Sequence, residues 1–199
     1  MKFMNILKKK KNASSEAAYM MGAPFRRFIR EWGGFIGRLG SFACLYIIFF
    51  GVIFRFGVCR GSSMEPTLSN GEIVLFQRMN ISVDYGDIIT VQRDSLEHML
   101  IKRVIGKAGD TIEIDIEQGV VYRNGVALSE PYIAEPTKAR GHMSGPVTVK
   151  EGCYFVMGDN RMNSLDSRFD SVGLVSENEI EGKLLTVLFN PFDWGTEEV

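Results

Sequence analysis

The sequence predicts a mainly β protein: an antiparallel, barrel-like β domain outside the membrane, preceded by a single transmembrane helix. Two observations carry this prediction. Residues 39–54 form an uncharged apolar run, LGSFACLYIIFFGVIF. After Leu68, short β-prone runs are separated by Gly and Asn, and no helical pattern long enough for a crossover lies between them. Strands joined by short turns are expected to pair in antiparallel order.

Charge divides the chain into a basic head and an acidic body. Before Leu39 there are nine Lys or Arg and two acidic residues, a net of +7; from Leu39 onward there are 14 and 22, a net of −8, and the two sum to −1. A phosphate-binding surface needs a basic face, so the body is not expected to bind nucleic acid. The head, residues 1–34, is interpreted either as an amphipathic segment at a membrane surface or as a solvated charge run.

The apolar run is extended to a predicted transmembrane helix over residues 35–58. Its 16 uncharged residues are short, but apolar neighbours lengthen the run, and Arg38 and Arg55 lie near its ends, where long side chains reach the interface. A cleaved signal peptide and a buried core helix are the alternatives; the long basic head and the lack of a small-x-small site disfavour the first. Positive charge before the helix predicts a single-pass protein of the cell membrane, with a cytoplasmic N-terminus and residues 59–199 outside.

The segment 59–199 is predicted to hold the strands. Asn124-Gly125 is a strong tight-turn signal, and residues 130–145, rich in Gly and Pro, are predicted to form a loop or excursion. Ser176 is expected to cap a single helical turn. The predicted strands are residues 72–76, 87–91, 99–105, 111–116, 120–123, 147–149, 153–157 and 184–189.

Cysteine and histidine show no metal-binding spacing. Cys44, Cys59 and Cys153 are expected to be free, although a pair between Cys59 and Cys153 stays open for an oxidising compartment. No CxxC or HExxH pattern occurs, and the two histidines, His98 and His142, are isolated, so a metal site is not expected.

A candidate nucleophile, Ser63, lies in the stretch GSSMEPTL, directly after the apolar segment. A Ser-Met-x-Pro turn directly after a predicted transmembrane helix is hard to explain by structural needs alone. Its candidate base is Lys102, which has apolar neighbours on its own face of a predicted strand. The alternative is that Lys102 is exposed and is an ordinary surface lysine without a catalytic role. Desolvation lowers the pKa of a buried lysine, and a neutral lysine can accept a serine proton, as in known Ser–Lys pairs. A Ser-His-Asp site with His98 or His142 is the competing hypothesis.

A third distinctive segment, GDNRMNSLDSR at residues 158–168, is either a surface loop or a rigid shelf beneath the site. Pairing between segments would fix the geometry that catalysis needs. The contacts expected of such a shelf are Asp159 with Arg103, Asp166 with Arg168, and Ser164 with Lys102.

Four motifs, in this order after an N-terminal anchor, resemble the successive conserved boxes of bacterial type I signal peptidases (leader peptidases). They are GSSMEPTL, YGD at residues 85–87, LIKRVIGKAGD and MGDNRMNSLDSR. The resemblance covers residues 35–190, and the single short anchor is similar to the compact Gram-positive form. It implies a membrane-bound serine endopeptidase that removes signal peptides from secreted preproteins after small residues, at Ala-x-Ala-like sites, through an acyl-enzyme.

The resemblance assigns roles to residues in three of these motifs. Ser63 matches the nucleophile and its backbone N–H an oxyanion donor, while Lys102 matches the general base. Many members have a serine where this chain has Gly61, so the second oxyanion donor stays open, with Ser62 as the candidate. The supporting residues are Ser164, which orients the lysine, the ion-pairing Asp159, Arg103, Asp166 and Arg168, and Met64 and Pro66 of the nucleophile turn.

The implied partners are secretory preproteins in the membrane and the lipid bilayer, without a cofactor. Phe54, Phe56 and the aromatic residues of 189–194 are expected either to enter the membrane interface or to close the core. Other functions weighed are a specialised peptidase for pilin-like or sporulation substrates and a self-cleaving repressor-type Ser–Lys protease, which the apolar span disfavours. A membrane-anchored β adaptor without activity is disfavoured because Ser63 and Lys102 are both present.

Overall fold

The computed structural model describes residues 27–28, 31–93, 96 and 98–191, in two units that divide between Phe50 and Gly51. The helix α1, Glu31–Ile53, is the one described helix long and apolar enough, by length and composition, to cross a membrane. Its most apolar stretch contains no buried residue. Most of the predicted basic head, including the run from Lys8 to Lys11, lies outside the described residues.

The helix prediction was wrong over residues 54–58. Phe54–Val58 form the first strand, β1, which pairs antiparallel with β2, Ile73–Gln77. Apolar composition suits a buried helix and a strand equally well over so short a run. Hydrogen bonds to β2 satisfy the backbone of residues 54–58, and that long-range pairing decides their structure.

The β unit contains two antiparallel sheets. Beyond β1 and β2, the strands are β3 Ile88–Val91, β4 Leu100–Lys107, β5 Thr111–Asp115, β6 Val120–Arg123, β7 Val126–Ala127, β8 Val147–Thr148, β9 Cys153–Met157, β10 Val175–Ser176 and β11 Ile180–Phe189. The larger sheet has the order β1-β2-β11-β3-β4-β9-β10, and the smaller one has the order β7-β6-β5-β8. Every pairing between described strands is antiparallel, which confirms the predicted fold class.

Local signals account for the turns between these strands. Asn124 and Gly125 have φ values of 54° and 77°, as a tight hairpin turn between β6 and β7 requires. Ser176 and Glu179 form a capping box around a single 3₁₀ turn, Glu177–Glu179, as predicted. Residues 130–145 contain no strand or helix, which confirms the predicted excursion.

Two apolar cores support the strands that lead to the predicted site. One lies beneath the GSSMEPTL stretch and contains Cys59, Met64, Leu68, Val74, Phe76 and Ile88. The other joins the two sheets through residues such as Ile105 and Phe155 of the larger sheet and Ile112 of the smaller one. Strand β4 therefore packs into this core through Ile105, and β9 through Phe155. Strand β4 carries Lys102, and β9 ends directly before Gly158.

Candidate active site

Ser63 lies in a tight turn between β1 and β2. Met64 and Leu68 are buried in the core below the turn, and the Leu68 N–H donates to the Met64 carbonyl at 2.9 Å. Pro66 is exposed and follows a cis peptide bond. Because the apolar side chains of the turn point inward, Ser63 is held half-buried above them.

Lys102 is brought to Ser63 by the central strand β4. Its side chain is almost completely buried, with 2% of the residue exposed. The Lys102 Nζ donates to Ser63 Oγ at 2.7 Å and to the Ile101 carbonyl at 2.8 Å. The structure therefore joins the two residues that the sequence analysis paired, although they lie 39 positions apart.

Burial lowers the pKa of Lys102 to about 8. The negative charges of Asp166 and Asp159 oppose this effect, while the positive charge of Arg168 adds to it. At pH 7 about one Lys102 in ten is then neutral, against about one in a few thousand for an exposed lysine. A usable fraction of Lys102 can therefore accept a proton near neutral pH.

Neither of the two histidines that competed for the role of base is hydrogen-bonded to Ser63 among the described contacts. His98 is exposed at the rim of the cleft beside Ser63. His142 is exposed and faces Asp170, 3.2 Å from its carboxylate. Among the described contacts, Lys102 rather than a histidine is hydrogen-bonded to Ser63.

The shelf predicted at residues 158–168 is present, and both of its expected ion pairs form. Arg103 Nε donates to Asp159 Oδ1 at 2.8 Å, and Thr67 also donates to this carboxylate. Arg168 binds Asp166 through two hydrogen bonds of 2.8 Å. Asp159, Asp166 and Arg168 are buried, so their charges depend on these pairings.

Ser164 differs from its predicted position. Its Oγ is buried and has no hydrogen-bond partner among the described residues. The expected contact with Lys102 is absent, and the Lys102 Nζ donates to Ser63 and Ile101. Ser164 packs against Gly158, where an added Cβ would lie 2.2 Å from Ser164 Oγ.

Two asparagines of the shelf, which the sequence analysis missed, hold the backbone around Ser63. The Asn160 N–H donates to the Ser63 carbonyl, and Asn160 Nδ2 donates to the Ser62 carbonyl, each at 3.1 Å. Asn163 Nδ2 donates to Ser62 Oγ at 2.9 Å. Their presence in a polar run beside predicted ion pairs was the available signal, but the sequence does not show which backbone they reach.

The candidate oxyanion donors lie at the start of the same turn. The Ser63 N–H makes no hydrogen bond to any described residue and is available to a ligand. The hydroxyl of Ser62 is bound to the shelf through Asn163. Gly61 has a φ of +85°, a region that favours glycine, and its N–H donates to Asn70 Oδ1 at 2.9 Å.

A cleft of about 640 Å³ opens beside Ser63 and Lys102. One wall follows β1 and its continuation to Gly61, and the other includes residues 98–102. Among the described strands, β1 pairs with β2 alone, and residues Leu100–Lys102 pair with β3 but not with β9. Both walls therefore have an open backbone edge, to which an extended peptide can bind as an added strand.

The cysteines are all free, so the pair between Cys59 and Cys153 that the sequence left open is not formed. Cys59 is buried on the wall of the cleft, and burial raises the pKa of its thiol to about 11. Within the described part of the chain, no group of three or more His, Cys, Asp or Glu is arranged to hold a metal ion.

Gly158 is expected to tolerate no side chain, because a Cβ would also lie 2.4 Å from the Ser63 carbonyl oxygen. Gly158→Ala should lower the free energy of unfolding by about 1–3 kcal/mol, the usual cost of overpacking. Urea unfolding measures the change. Gly145→Ala is the matched control, since nothing lies within 4 Å of a Cβ built there. Equal free energies of unfolding for the two variants would contradict the clash expected at Gly158.

The chain is similar to proteins of one family. Residues 30–189 match the family described as "Signal peptidase, peptidase S26". A signal peptidase I of Bacillus amyloliquefaciens is 39% identical over 81% of this chain and 86% of that protein. Signal peptidase I T of Bacillus subtilis is 36% identical over 82% of this chain and 86% of its own. A solved signal peptidase I from Enterococcus faecalis is 32% identical, with a TM-score of 0.43, and covers 53% of this chain and 98% of that one.

Proposed function

The chain belongs to the signal peptidase I enzymes of peptidase family S26, and we propose that it removes signal peptides from secretory preproteins through an acyl-enzyme on Ser63, with Lys102 as general base. The observation that supports this mechanism is the 2.7 Å contact between the buried Lys102 Nζ and Ser63 Oγ at the cleft. The lowered pKa of Lys102 supports its role as the base.

The reaction begins when Ser63 Oγ attacks the scissile carbonyl carbon and neutral Lys102 accepts the hydroxyl proton. The Ser63 N–H donates to the oxyanion that develops on the carbonyl oxygen. As the C–N bond breaks, the Lys102 ammonium gives its proton to the leaving amine, which becomes the N-terminus of the mature protein. Lys102 then deprotonates a water molecule that attacks the Ser63 ester, and the signal peptide leaves with a new carboxyl group.

The cleft suits an extended peptide with small side chains near the cut. Its open backbone edges on both walls offer main-chain hydrogen bonds, which bind a strand regardless of sequence. Its lining beside Ser63 is largely apolar and includes Val58, Met64 and Ile101. We infer that this lining favours small apolar side chains such as alanine on either side of the residue that precedes the last one before the cut, as in an Ala-x-Ala site.

The bilayer is the second proposed partner. The length and apolar composition of α1 suit a single span, and the positive charge before it favours a cytoplasmic N-terminus with the β unit outside. Phe56 and Phe189 expose 68% and 48% of their surface on the β unit, which suits contact with the membrane interface. The aromatic residues beyond them, Phe192 and Trp194, lie outside the described residues. Confinement of enzyme and precursor to one membrane raises their effective concentration.

The proposal is tested with the purified full-length protein in liposomes and a preprotein that carries an Ala-x-Ala site. We expect a single cut directly after the second small residue, located by mass spectrometry of both products. Rapid acid quenching should trap the signal peptide as an ester on Ser63. A preprotein with a bulky residue before the cut is the control. Equal cleavage of both preproteins, or an acyl group on another residue, would refute the corresponding part of the proposal.

The pH dependence of cleavage is expected to follow Lys102. Only the neutral amine accepts a proton, so kcat/KM should rise about tenfold per pH unit at low pH and level off above a midpoint near 8. Initial rates between pH 6 and pH 10 measure this profile. A midpoint at about pH 6.5, the ordinary pKa of histidine, would favour a histidine base instead.

A further inference from the structure

The excursion over residues 130–141 binds arginines of the shelf through both side chains and backbone. The Glu130 carboxylate accepts two hydrogen bonds from Arg161, at 2.8 and 2.6 Å. Arg161 also donates to Thr137 Oγ1 at 2.7 Å, and Arg168 donates to the Ala139 carbonyl at 2.8 Å. The excursion is therefore attached to the shelf by charged and buried contacts, and the mechanism above gives it no role.

Tyr132 lies at the centre of this attachment, between two guanidinium groups. Its ring centroid is 4.1 Å from the Cζ of Arg103 and 5.9 Å from the Cζ of Arg161. Its hydroxyl donates to Glu130 Oε1 at 2.8 Å. Burial and the Glu130 charge raise the pKa of Tyr132, so its hydroxyl stays protonated and the ring offers a neutral face to both cations.

The two arginines that Tyr132 contacts lead to the reacting groups by different routes. Arg103 binds Asp159, whose carboxylate also accepts a hydrogen bond from the hydroxyl of Thr67, at the end of the nucleophile turn. Arg161 Nε donates to the Gly158 carbonyl at 3.1 Å. Gly158 in turn packs directly against the Ser63 carbonyl, where an added Cβ would lie at 2.4 Å.

We propose that Tyr132 and Glu130 are positioning residues for the cleavage reaction, because they hold Arg103 and Arg161 so that Asp159 and Gly158 stay beneath Ser63 and Lys102. This inference rests on the proposed function of the Ser63–Lys102 pair. The excursion is then part of the active site, because Tyr132 and Glu130 hold the shelf in position. We call these two residues the clamp.

The clamp is also expected to affect the pKa of Lys102, through the charges around it. The groups that act on Lys102 are Asp166, Cys59, Asp159 and Arg168. Arg103 neutralises Asp159, and the Tyr132 ring covers Arg103. Loss of the ring would leave Arg103 less fixed, so Asp159 would attract the Lys102 ammonium more strongly and raise its pKa.

The test compares Tyr132→Leu with Tyr132→Phe in the full-length protein in liposomes, with the Ala-x-Ala preprotein. We expect Tyr132→Leu to lower kcat about tenfold, with KM within about twofold of wild type, because geometry rather than binding is lost. The midpoint of its kcat/KM profile should move about half a pH unit upward. Tyr132→Phe keeps the ring and should retain most of the activity.

The second arm of the clamp is tested by Glu130→Gln against Glu135→Gln. Glu135 is exposed on the same excursion, so its substitution removes the same charge without touching Arg161. Glu130→Gln is expected to lower kcat about tenfold while Glu135→Gln leaves it unchanged. Equal kcat values for these two variants would overturn the role of Glu130.

The role of Tyr132 is refuted if the folded Tyr132→Leu variant keeps the wild-type kcat and the wild-type pH midpoint. It is also refuted if Tyr132→Phe lowers kcat as much as Tyr132→Leu does. If Tyr132→Leu does not fold, Tyr132→Met removes the ring face with an unbranched side chain that adapts more easily to the site, and the same two readouts decide. Cleavage that persists in Ser63→Ala would instead refute the proposed function, so the two failures are distinguishable.

Discussion

Ser63→Ala and Lys102→Met are each expected to lower kcat/KM for preprotein cleavage by at least about 10³-fold. Ser63 Oγ forms the acyl bond in the proposed mechanism, and the 2.7 Å contact brings Lys102, the proposed base, within reach of its proton. Because nucleophile and base act as one unit, the double variant should be about as inactive as either single variant. Initial rates in liposomes measure the loss. Lys150→Met, at an exposed position, is the control and should be fully active.

The same Lys102→Met variant is expected to be more stable than the wild type at pH 7. The pKa of Lys102 falls from 10.5 to about 8 on folding, which corresponds to about 3 kcal/mol of destabilisation while the folded lysine is protonated. The difference should be complete below pH 8 and should decrease as pH rises from 8 to 10.5, because the folded lysine then loses its proton and removing a proton from the unfolded lysine costs progressively less. Urea unfolding at pH 7 and pH 10 tests this. Lower stability of Lys102→Met at pH 7 would contradict the burial argument.

Asp166→Asn is expected to lower the free energy of unfolding by about 3–5 kcal/mol, because it leaves the buried Arg168 without its counter-charge. Asp166 accepts two hydrogen bonds of 2.8 Å from Arg168 and one of 3.0 Å from the Gly158 N–H. An asparagine cannot replace all three acceptor contacts. Thermal or urea unfolding measures the effect.

Asp170→Asn is the matched control for this prediction, since that carboxylate is 88% exposed and contributes little. A second readout separates charge from stability. Asp166 raises the pKa of Lys102, so any folded Asp166→Asn enzyme should reach half its maximal kcat/KM at a lower pH than wild type. A midpoint that moves upward would show that Asp166 does not act on Lys102 as described.

Much of the candidate site could be predicted because its residues carry strong local constraints. Lys102 sits among apolar neighbours in a strand, and a lysine in that setting is either at an edge or buried for a reason. The charged residues of the 158–168 shelf can satisfy one another only across a short turn or with a nearby strand. The need for ion pairing therefore restricts how these charged residues can be arranged.

Other parts depend on contacts between distant segments, which the sequence does not display. The boundary at Phe54 follows from pairing with β2, and the orientation of Ser164 depends on where β4 directs the Lys102 ammonium. The position of the excursion against Arg103 and Arg161 is set by side chains that looked like ordinary loop residues. Asn160 and Asn163 gave a compositional signal only, because an amide can bond to almost any backbone group.

The short connection from α1 to Ser63, the proposed nucleophile, limits how far this residue can lie from the end of the helix. Helix α1 ends at Ile53, and the chain enters β1 at Phe54 without a linker before it reaches Ser63. Ten residues of extended chain span at most about 35 Å, so Ser63 stays within that radius of the end of the helix. If the helix spans the bilayer as proposed, only bonds that a precursor presents inside this radius are within reach. The protein would then select its cleavage site partly by height above the membrane, in addition to the fit of side chains in the cleft.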